Sequence, residues 1–360
     1  MNAFFVKKVF FEYLLHRLSS ILTVVLFLIS LSSSVTYGQI LNKIEPGWQL
    51  GLDYFFDNVE FDNSDYTWSG TMNGIWISPV GQLGWSDYHS VNGGVKLLTI
   101  PGAKKAIEKV KITAFYEYET PKVLFRAGAF PRKDVLGHYN TFFFKDSVQN
   151  FVPLVQGVYW RIGNDHRFVD AWMDWTGYSS SDVHEQFMVG FSGRWTQGVF
   201  FADFQSYLYH HALTDPAIEG EGVSENLQLQ ATSGIVYNNG IANGLLTAGV
   251  LAGYERDRRF DSENYKPVGL VVRAEVEYRR LGMQNLFYAG SRRMKLNATY
   301  GDDLYWGTPF LQGRNYLRSD WYVNLLERNG LKVKLNSNLH LVEGKLYFQQ
   351  QLKVHVQLGN

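Results

Sequence analysis

Apolar and polar residues alternate along most of the chain. Within residues 109–119 nearly every second residue is apolar, and most of the residues between them are charged. The same alternation recurs at 268–279, 331–341 and 346–358. Successive side chains of a β-strand point to opposite faces, whereas a helix would mix the two sets. The pattern therefore predicts strands that each have one apolar and one polar face.

Many of these segments are 10 to 14 residues long. A soluble strand usually has about 5 or 6 residues, whereas a tilted strand that crosses a membrane needs about 9 to 11. We therefore predict an all-β fold, a transmembrane antiparallel up-and-down β-barrel of about 16 strands, with 14 as the alternative count. The predicted strands are 48–58, 68–78, 82–98, 107–119, 122–130, 154–163, 167–178, 184–196, 198–210, 226–238, 241–254, 267–279, 283–291, 318–327, 331–342 and 345–358.

Short and long connections also alternate. Short turns follow the even-numbered strands, beginning with Pro79–Gly81, and long loops follow the odd-numbered ones except at 343–344. Outer-membrane barrels sort their periplasmic turns and extracellular loops in this way. Aromatic residues precede the short turns on the apolar face, which predicts a girdle at one membrane interface: Trp76, Tyr118, Trp160, Trp195, Tyr237 and Tyr278.

The N-terminus has the composition of an export signal. Lys7, Lys8 and Arg17 precede an uncharged apolar core at 21–31, and small residues lead to Gly38. This order predicts a signal peptide at residues 1–38 and a single barrel domain at 39–360, with a retained N-terminal anchor as the alternative. The apolar core is shorter than the roughly 20 residues of a membrane-spanning helix.

Composition excludes several classes of protein. Hydrophobic residues make up 46% of the chain and aromatic residues 16%, which is unlike a disordered chain. Lys and Arg together number 34, as do Asp and Glu, which argues against a nucleic-acid binder. There is no Cys, so disulfides, thiolate metal sites and Cys nucleophiles are excluded. No Walker loop or HExxH motif is present, and we predict no metal or cofactor.

These strands and connections make the chain resemble Gram-negative outer-membrane β-barrel proteins of a broadly porin-like kind, over about residues 48–358. The resemblance rests on the pattern, and the segments GAFPR at 128–132 and DWTG at 174–177 look like family signatures without a known activity. The chain ends in Leu358, Gly359 and Asn360, whereas many such barrels end in an aromatic residue. The resemblance implies a bacterial outer-membrane location, contact with membrane lipid, lipopolysaccharide and the barrel-assembly machinery, and leaves open a homo-oligomer.

The polar face of the predicted strands would line the lumen. Acidic and basic residues are mixed along it, unlike the single-sign rings of ion-selective pores. The aromatic loop at 131–153, after the fifth strand, is expected to pack into the mouth or lumen and narrow it, or else to lie over the rim. The candidates for pore lining or constriction are Arg126, Arg132, Lys133, Asp134, Arg161, Asp170, Asp174, Arg194, Asp203, Arg273, Glu275 and Glu277.

Enzymatic signals are weak. His210 and His211, with Asp203 and Asp215, suggest a hydrolase or metal site, but no Ser/His/acid spacing of a known barrel enzyme is present. We therefore predict no catalytic residues and a protein that is not an enzyme.

The first hypothesis for function is a channel for small polar solutes. The alternatives are a membrane-anchored lipid or peptide hydrolase and a scaffold or surface-glycan binding barrel. A basic loop cluster formed by Arg256, Arg258 and Arg259 could contact lipopolysaccharide phosphates or lie in solvent.

Overall fold

The computed structural model describes residues 44–260 and 264–359. The predicted signal peptide at 1–38 lies outside these residues. The described chain forms strands β1 to β16: Glu45–Glu60, Gly70–Gly84, His89–Thr99, Lys109–Glu119, Val123–Pro131, Leu154–Asn164, Arg167–Gly177, Gln186–Gln197, Phe200–His211, Ser224–Asn238, Ala242–Asp257, Val268–Tyr278, Leu281–Gly290, Asn315–Arg328, Leu331–Val342 and Lys345–Gly359.

The strands close into one antiparallel barrel. Each strand pairs with its neighbours in sequence, and β1 pairs with β16 from Gln49–Gly359 to Glu60–Phe348. Because the barrel is closed, every strand has two neighbours. Its backbone N–H and C=O groups can therefore form hydrogen bonds that the surrounding hydrocarbon could not provide. The predicted fold and the count of sixteen are confirmed, and most predicted strand ends lie within a few residues of the observed ones.

The predicted turn at Pro79–Gly81 is wrong. These residues lie inside β2, which runs on to Gly84, and the turn is formed by residues 85–88. Proline has no backbone N–H, and the β2–β3 register is accordingly interrupted at positions 78 and 79 before it resumes at Val80–Gly94. The proline therefore marks a local break in the ladder, while both strands continue past it.

The two faces of the strands meet different surroundings. Apolar side chains such as Ile112, Leu270 and Phe348 point outward and are exposed, while Thr113, Val271 and Gln349 beside them point inward and are buried. A continuous exposed apolar surface around a closed barrel is suited to hydrocarbon. The protein is an outer-membrane β-barrel, with both ends of the described barrel at the side of the short turns, which faces the periplasm.

Five of the six predicted girdle aromatics lie on the outer face as expected. Trp76 does not: it points inward, is 3% exposed, and its Nε1 donates a hydrogen bond to the carbonyl oxygen of Asn150 at 2.8 Å. Because the turn comes later than predicted, Trp76 lies in the middle of β2, where the inward face packs against a loop that enters the barrel.

Two long loops fold into the lumen. Residues 132–153 contain helices α1 (Arg132–Leu136) and α2 (Asp146–Phe151), and residues 291–314 contain α3 (Asn297–Tyr300) and the 3₁₀ turns Gly301–Asp303 and Pro309–Gln312. We call these two loops together the plug. Across the described ranges, no helix has the length and apolar character needed to cross a bilayer.

Candidate functional site

The first plug loop carries a run of aromatic residues into the centre of the barrel. Phe142 and Phe143 are fully buried, and Phe144 is almost so. Phe142 contacts Tyr288 of β13 and Tyr316 of β14, with ring centroids 6.2 and 6.1 Å apart. Contacts of this kind across a lumen bury large apolar surfaces, which strongly favours the inward position of the loop.

The opposite walls contact the same run. Phe144 lies 6.0 Å from Tyr207 of β9 and 6.1 Å from Trp172 of β7. In the second plug loop, Phe310 stacks on Tyr347 of β16 at 5.5 Å. The aromatic core therefore reaches walls from β7 to β16, and side chains fill the lumen at this level. The predicted insertion of residues 131–153 agrees with this arrangement, while its effect on a pore remains a prediction.

A buried ion pair fixes the start of the first loop. Arg132 Nη2 donates to Asp174 on β7, and Arg132 also donates to the carbonyl oxygens of Val152 at 3.0 Å and Leu154 at 2.8 Å. Both charged side chains are almost completely buried. The pair joins the two segments, 128–132 and 174–177, that the sequence singled out, and it serves to hold the plug.

A second ion pair fixes the end of the same loop. Arg318 Nη1 of β14 donates to Asp146 at 2.8 Å, and Lys353 Nζ of β16 lies 3.5 Å away from the same carboxylate. Burial alone would raise the pKa of Asp146, but Arg318 and Lys353 favour its charged form and hold the pKa below the ordinary value. Asp146 is therefore ionised and anchors α2 to the wall.

The second plug loop is held by Glu255 of β11. Its carboxylate accepts hydrogen bonds from the backbone N–H groups of Met294 and Lys295 at 2.8 and 2.7 Å and from the hydroxyl of Tyr305 at 2.8 Å. Buried Arg293 donates to backbone carbonyls of the same wall, at 3.3–3.5 Å. These contacts satisfy loop groups that have no partner in a strand ladder.

The other predicted lumen charges also point inward, and most have a partner. Arg126 Nε donates to Glu117 at 2.6 Å, and its Nη1 donates to Asp134 at 3.2 Å. Arg161 donates to Asp165 at 3.0 Å. The remaining partners are Ser192 for Asp170, Thr232 for Asp203, Glu275 for Arg273 and Tyr322 for Glu277.

Lys133 and Arg194 differ from the other predicted residues in their exposure or in their partners. Lys133 is largely exposed, and its Nζ lies 3.8 Å from Asp53. Arg194 forms no ion pair within the part of the chain that the structure describes, and lies over the rings of Phe168 and Phe201. Arg194, Arg273 and Glu275 border one cavity, whereas the other predicted residues are dispersed over the lumen wall.

A Ser–His–Asp contact occurs beside the plug. His138 Nε2 lies 2.6 Å from Ser192 Oγ, and that hydroxyl donates to Asp170 at 2.7 Å. Burial, together with Arg194 and Arg161, lowers the pKa of His138 to about 3, so the imidazole is neutral at pH 7. Because the serine proton is directed at the carboxylate and Ser192 is fully buried, this contact braces the loop and does not prepare a nucleophile.

His210 and His211 do not form one site. They are consecutive in β9, so His210 points outward and His211 points into the barrel. Asp203 lies deeper in the lumen, bonded to Thr232, and Asp215 lies in the loop after β9. Among the described residues, no group of three or more His, Asp or Glu side chains is arranged to hold a metal ion.

His210 instead belongs to a cluster on the outer face. Its Nδ1 lies 3.8 Å from Glu225 Oε1 on β10, and its ring stacks on Phe187 of β8 at 4.7 Å. Glu225 accepts from Arg256 Nε at 3.0 Å and Nη2 at 2.5 Å, and from Arg258. We call His210, Glu225, Arg256 and Arg258 the rim cluster.

The rim cluster lies where the apolar belt ends. Leu208 on β9 and Leu227 on β10 are the next outward residues toward the periplasm, and Leu227 is exposed to lipid. The long loops begin immediately above the cluster. An imidazole, a carboxylate and two guanidinium groups are therefore placed at the boundary between hydrocarbon and the outer headgroups.

Comparison with protein families gives a match over nearly the whole described barrel. Residues 49–359 match the model of the family described as lipid A 3'-O-deacylase-type. The chain belongs to this family. Comparison with curated proteins gives no match.

Solved structures share the fold of this lipid A 3'-O-deacylase-type barrel. A loop-L8 deletion mutant of OmpT, an outer membrane protein of Vibrio cholerae, superimposes with a TM-score of 0.53 at 11% identity, covering 88% of this chain and 99% of that chain. OmpT as expressed in the outer membrane gives a TM-score of 0.52 at 11% identity, covering 89% and 100% of the two chains. At this identity the likeness concerns architecture alone.

The family membership corrects one expectation. The sequence led us to predict a protein that is not an enzyme, because no familiar triad spacing was visible. The family is named for a hydrolytic activity, so the prediction was wrong. Local spacing was the wrong signal, because neighbouring strands in a barrel bring together residues that are far apart in the chain.

Three residues of the rim cluster could be identified from the sequence, but Glu225, which contacts all of them, was missed. His210 was considered with His211, and Arg256 and Arg258 were identified as a basic group. Glu225 was not singled out. Only the register that places Glu225 opposite both His210 and Arg256 reveals the cluster. The signal available in the sequence was that His210 and Glu225 both fall on the apolar, outward face of their strands.

Proposed function

We propose that this protein is an outer-membrane hydrolase that removes an acyl chain from a glycolipid of the lipid A class in the outer leaflet. The observation that supports this function is the rim cluster, an outward-facing histidine–glutamate pair with two arginines at the outer edge of the apolar belt. The ester bonds of such a glycolipid join its acyl chains to its sugar, so they lie at this depth. The family match points to the same chemistry.

Each residue of the cluster has a role in that reaction. Glu225 faces Nδ1 of His210 and orients the imidazole, which leaves Nε2 to take a proton from water. The resulting hydroxide attacks the ester carbonyl. His210 then returns the proton to the sugar oxygen as the acyl bond breaks, so the products are a free fatty acid and a sugar hydroxyl.

The two arginines suit the charged part of the substrate. Arg256 and Arg258 each direct one edge of the guanidinium group to Glu225 and have further N–H groups available. Guanidinium groups bind phosphate oxygens in a forked geometry, and lipid A carries phosphates on its sugars. The arginines would thus hold the headgroup while the acyl chains remain in hydrocarbon beside Leu208 and Leu227.

The filled lumen favours this function over a channel. The aromatic core of the plug reaches the walls at β7, β9, β13, β14 and β16, so a solute would have to displace it. The rim cluster needs no path through the barrel, because its substrate reaches it within the membrane.

The test is deacylation of lipid A by the purified protein in detergent micelles, followed by mass spectrometry of released fatty acids. His210→Gln is expected to reduce the rate by about 10² to 10⁴, the usual contribution of a general base. Glu225→Gln should also reduce it, with less effect on substrate binding than on turnover.

The chain supplies a matched control. His355 pairs with Asp53 through Nδ1 at 2.6 Å, but both residues face the lumen near the periplasmic end. His355→Gln should leave the rate unchanged, and heat-modifiable migration on gels should show that all variants form barrels. Full activity in folded His210→Gln, or no acyl release by the wild-type protein, would contradict the proposal.

A further inference from the structure

Beneath the plug, the periplasmic half of the lumen is hollow. A cavity of about 410 Å³ lies between residues 137–149 above it and the walls of β8 and β12 to β16. We call it the vestibule. Along the inward face of β15, exposure rises from 1% at Asn338 and 8% at Asn336 to 64% for the side chain of Lys332. The vestibule therefore opens toward the short turns and is closed by the plug.

Cationic side chains outnumber acidic ones around this cavity. Its lining includes five Arg or Lys residues and three Asp or Glu residues. The three acids are matched with arginines: Asp146 and Asp320 bond to Arg318, each at 2.8 Å, and Glu275 bonds to Arg273 at 2.5 Å. The lining therefore carries two more cationic than acidic side chains, with Asp203 next to Arg194 and Glu277 near Lys334 outside it.

One of the surplus cations is Lys334. It is the direct cross-strand partner of Lys353, and both side chains face the vestibule. Like charges directly opposite each other destabilise a sheet. Lys353 lies 3.5 Å from Asp146, whereas Lys334 has no carboxylate partner in the described chain and rests over the ring of Tyr322 at 3.6 Å.

Arg194 is the other surplus cation. The acid opposite it in the register, Asp203, bonds to Thr232 and Gln205 instead. Arg194 Nε is buried and has no hydrogen-bond partner in the part of the chain that the structure describes. The terminal nitrogens of the same guanidinium group remain available to an anion in the vestibule, which Arg194 lines.

The uncharged part of the lining suggests what accompanies the anion. Six of the lining residues are Asn or Gln, whose amide groups both donate and accept hydrogen bonds. Hydroxyl groups are suitable partners for such amides. The volume is in the range of small-ligand sites, about 300 to 1,000 Å³.

We infer that the vestibule is a binding site for a small hydroxylated dianion, of which a sugar phosphate is the simplest example, that enters from the periplasm. Arg194 and Lys334 neutralise the anion from two walls of the cavity, and the amide groups bind its hydroxyls. This inference is independent of the deacylase proposal, because the rim cluster is on the outer face and the vestibule is inside.

The experiment is calorimetric titration of the purified full-length protein in detergent micelles with three probes. Glucose 6-phosphate should bind saturably, inorganic phosphate should bind more weakly, and glucose should not bind. Absence of saturable binding by glucose 6-phosphate would overturn the inference. Equal affinity for inorganic phosphate would overturn the hydroxyl part of it.

Variants then locate the site. Arg194→Gln and Lys334→Gln should each weaken glucose 6-phosphate binding by about tenfold or more, the effect of losing a charged hydrogen bond. Lys332→Gln is the matched control, since Lys332 is on the same face of β15 but is bonded to Glu327 nearer the periplasm. A similar loss in Lys332→Gln would show that only the general positive field attracts the anion, and would overturn the site.

A stability measurement separates binding from a structural role. Without ligand, Lys334→Gln should unfold at the same or a higher temperature than the wild type, because it removes repulsion from Lys353. With glucose 6-phosphate the wild type should gain more thermal stability than the variant. A less stable variant with unchanged affinity would mean that Lys334 is a structural residue, which would contradict the inference.

Discussion

The plug and the vestibule occupy the two halves of one lumen and share the walls formed by β13, β14 and β16. In the plug, charges such as Arg132 and Asp174 are paired and buried among aromatic rings. In the vestibule, charges border a water-accessible cavity, and Arg194 and Lys334 lack acid partners among the described residues. The difference comes from the loops and from the wall beside them. Inward residues at the level of the plug include Tyr207, Val271 and Tyr288, whereas the wall of the vestibule is mostly polar or charged. Apolar and aromatic residues of loops and wall together close this part of the lumen.

The largest effect is expected from a deletion within the plug, which should open a conducting path through the lumen. Deletion of residues 133–150 takes out Phe142, Phe143 and Phe144 and should produce current steps in planar bilayers that the wild-type protein lacks. The physical reason is that these rings fill the lumen between β7 and β14. Heat-modifiable migration must show a folded barrel. A folded deletion variant without conductance would contradict the closing role of this loop.

A single charge removed from the plug should have the next largest effect. Arg132→Met leaves the Asp174 carboxylate buried without its main partner, which should lower the free energy of unfolding by about 4 kcal/mol. Urea titration followed by tryptophan fluorescence measures this change, since Trp306 lies beside Arg132. A loss below about 1 kcal/mol would show that water reaches this pair, as is usual for surface pairs.

Loss of an aromatic ring tests the packing itself. Phe142 is fully buried, and Phe142→Ala should lower the free energy of unfolding by about 3 kcal/mol through lost burial and a residual cavity. The same urea titration measures it. Phe200→Ala on the outer face is a suitable comparison, because Phe200 is exposed on the lipid side. Equal effects of the two changes would contradict a close-packed plug.

The smallest effect is expected in the vestibule wall. Arg273 and Glu275 form an ion pair at 2.5 Å, but both side chains are partly exposed. Arg273→Gln should therefore change the free energy of unfolding by less than about 1 kcal/mol. A loss as large as that of Arg132→Met would mean that the vestibule is as dry as the plug, and the contrast between the two halves would fail.

Much of the barrel could be predicted because strand direction and side-chain parity are local properties. Alternation placed Ile112 and Leu270 toward lipid and Arg126 and Arg273 toward the lumen, as observed. The prediction failed at Trp76 and Pro79, where an interruption of pairing resembles a turn. In sequence, a proline within a long strand and a proline in a turn give the same signal.

The candidate site was predictable only in parts. Arg256 and Arg258 were recognisable as a basic group near the membrane surface, and His210 as a residue at the end of a strand. Glu225 became significant only when the register of β9, β10 and β11 placed it between them. The expectation of a protein without enzymatic activity failed for the same reason, since spacing along one chain does not show which strands are neighbours.

Alternation of apolar and polar residues, together with turn chemistry, was enough to predict a barrel of about sixteen strands and the outward face of most of them, because both are properties of short segments. The tertiary structure was needed to show that two loops close the outer half of the lumen, that a charged vestibule remains below them, and that the rim cluster assembles on the outer face. These features depend on contacts between residues far apart in the chain, and such contacts are fixed by strand register and by the packing of loops inside a closed wall.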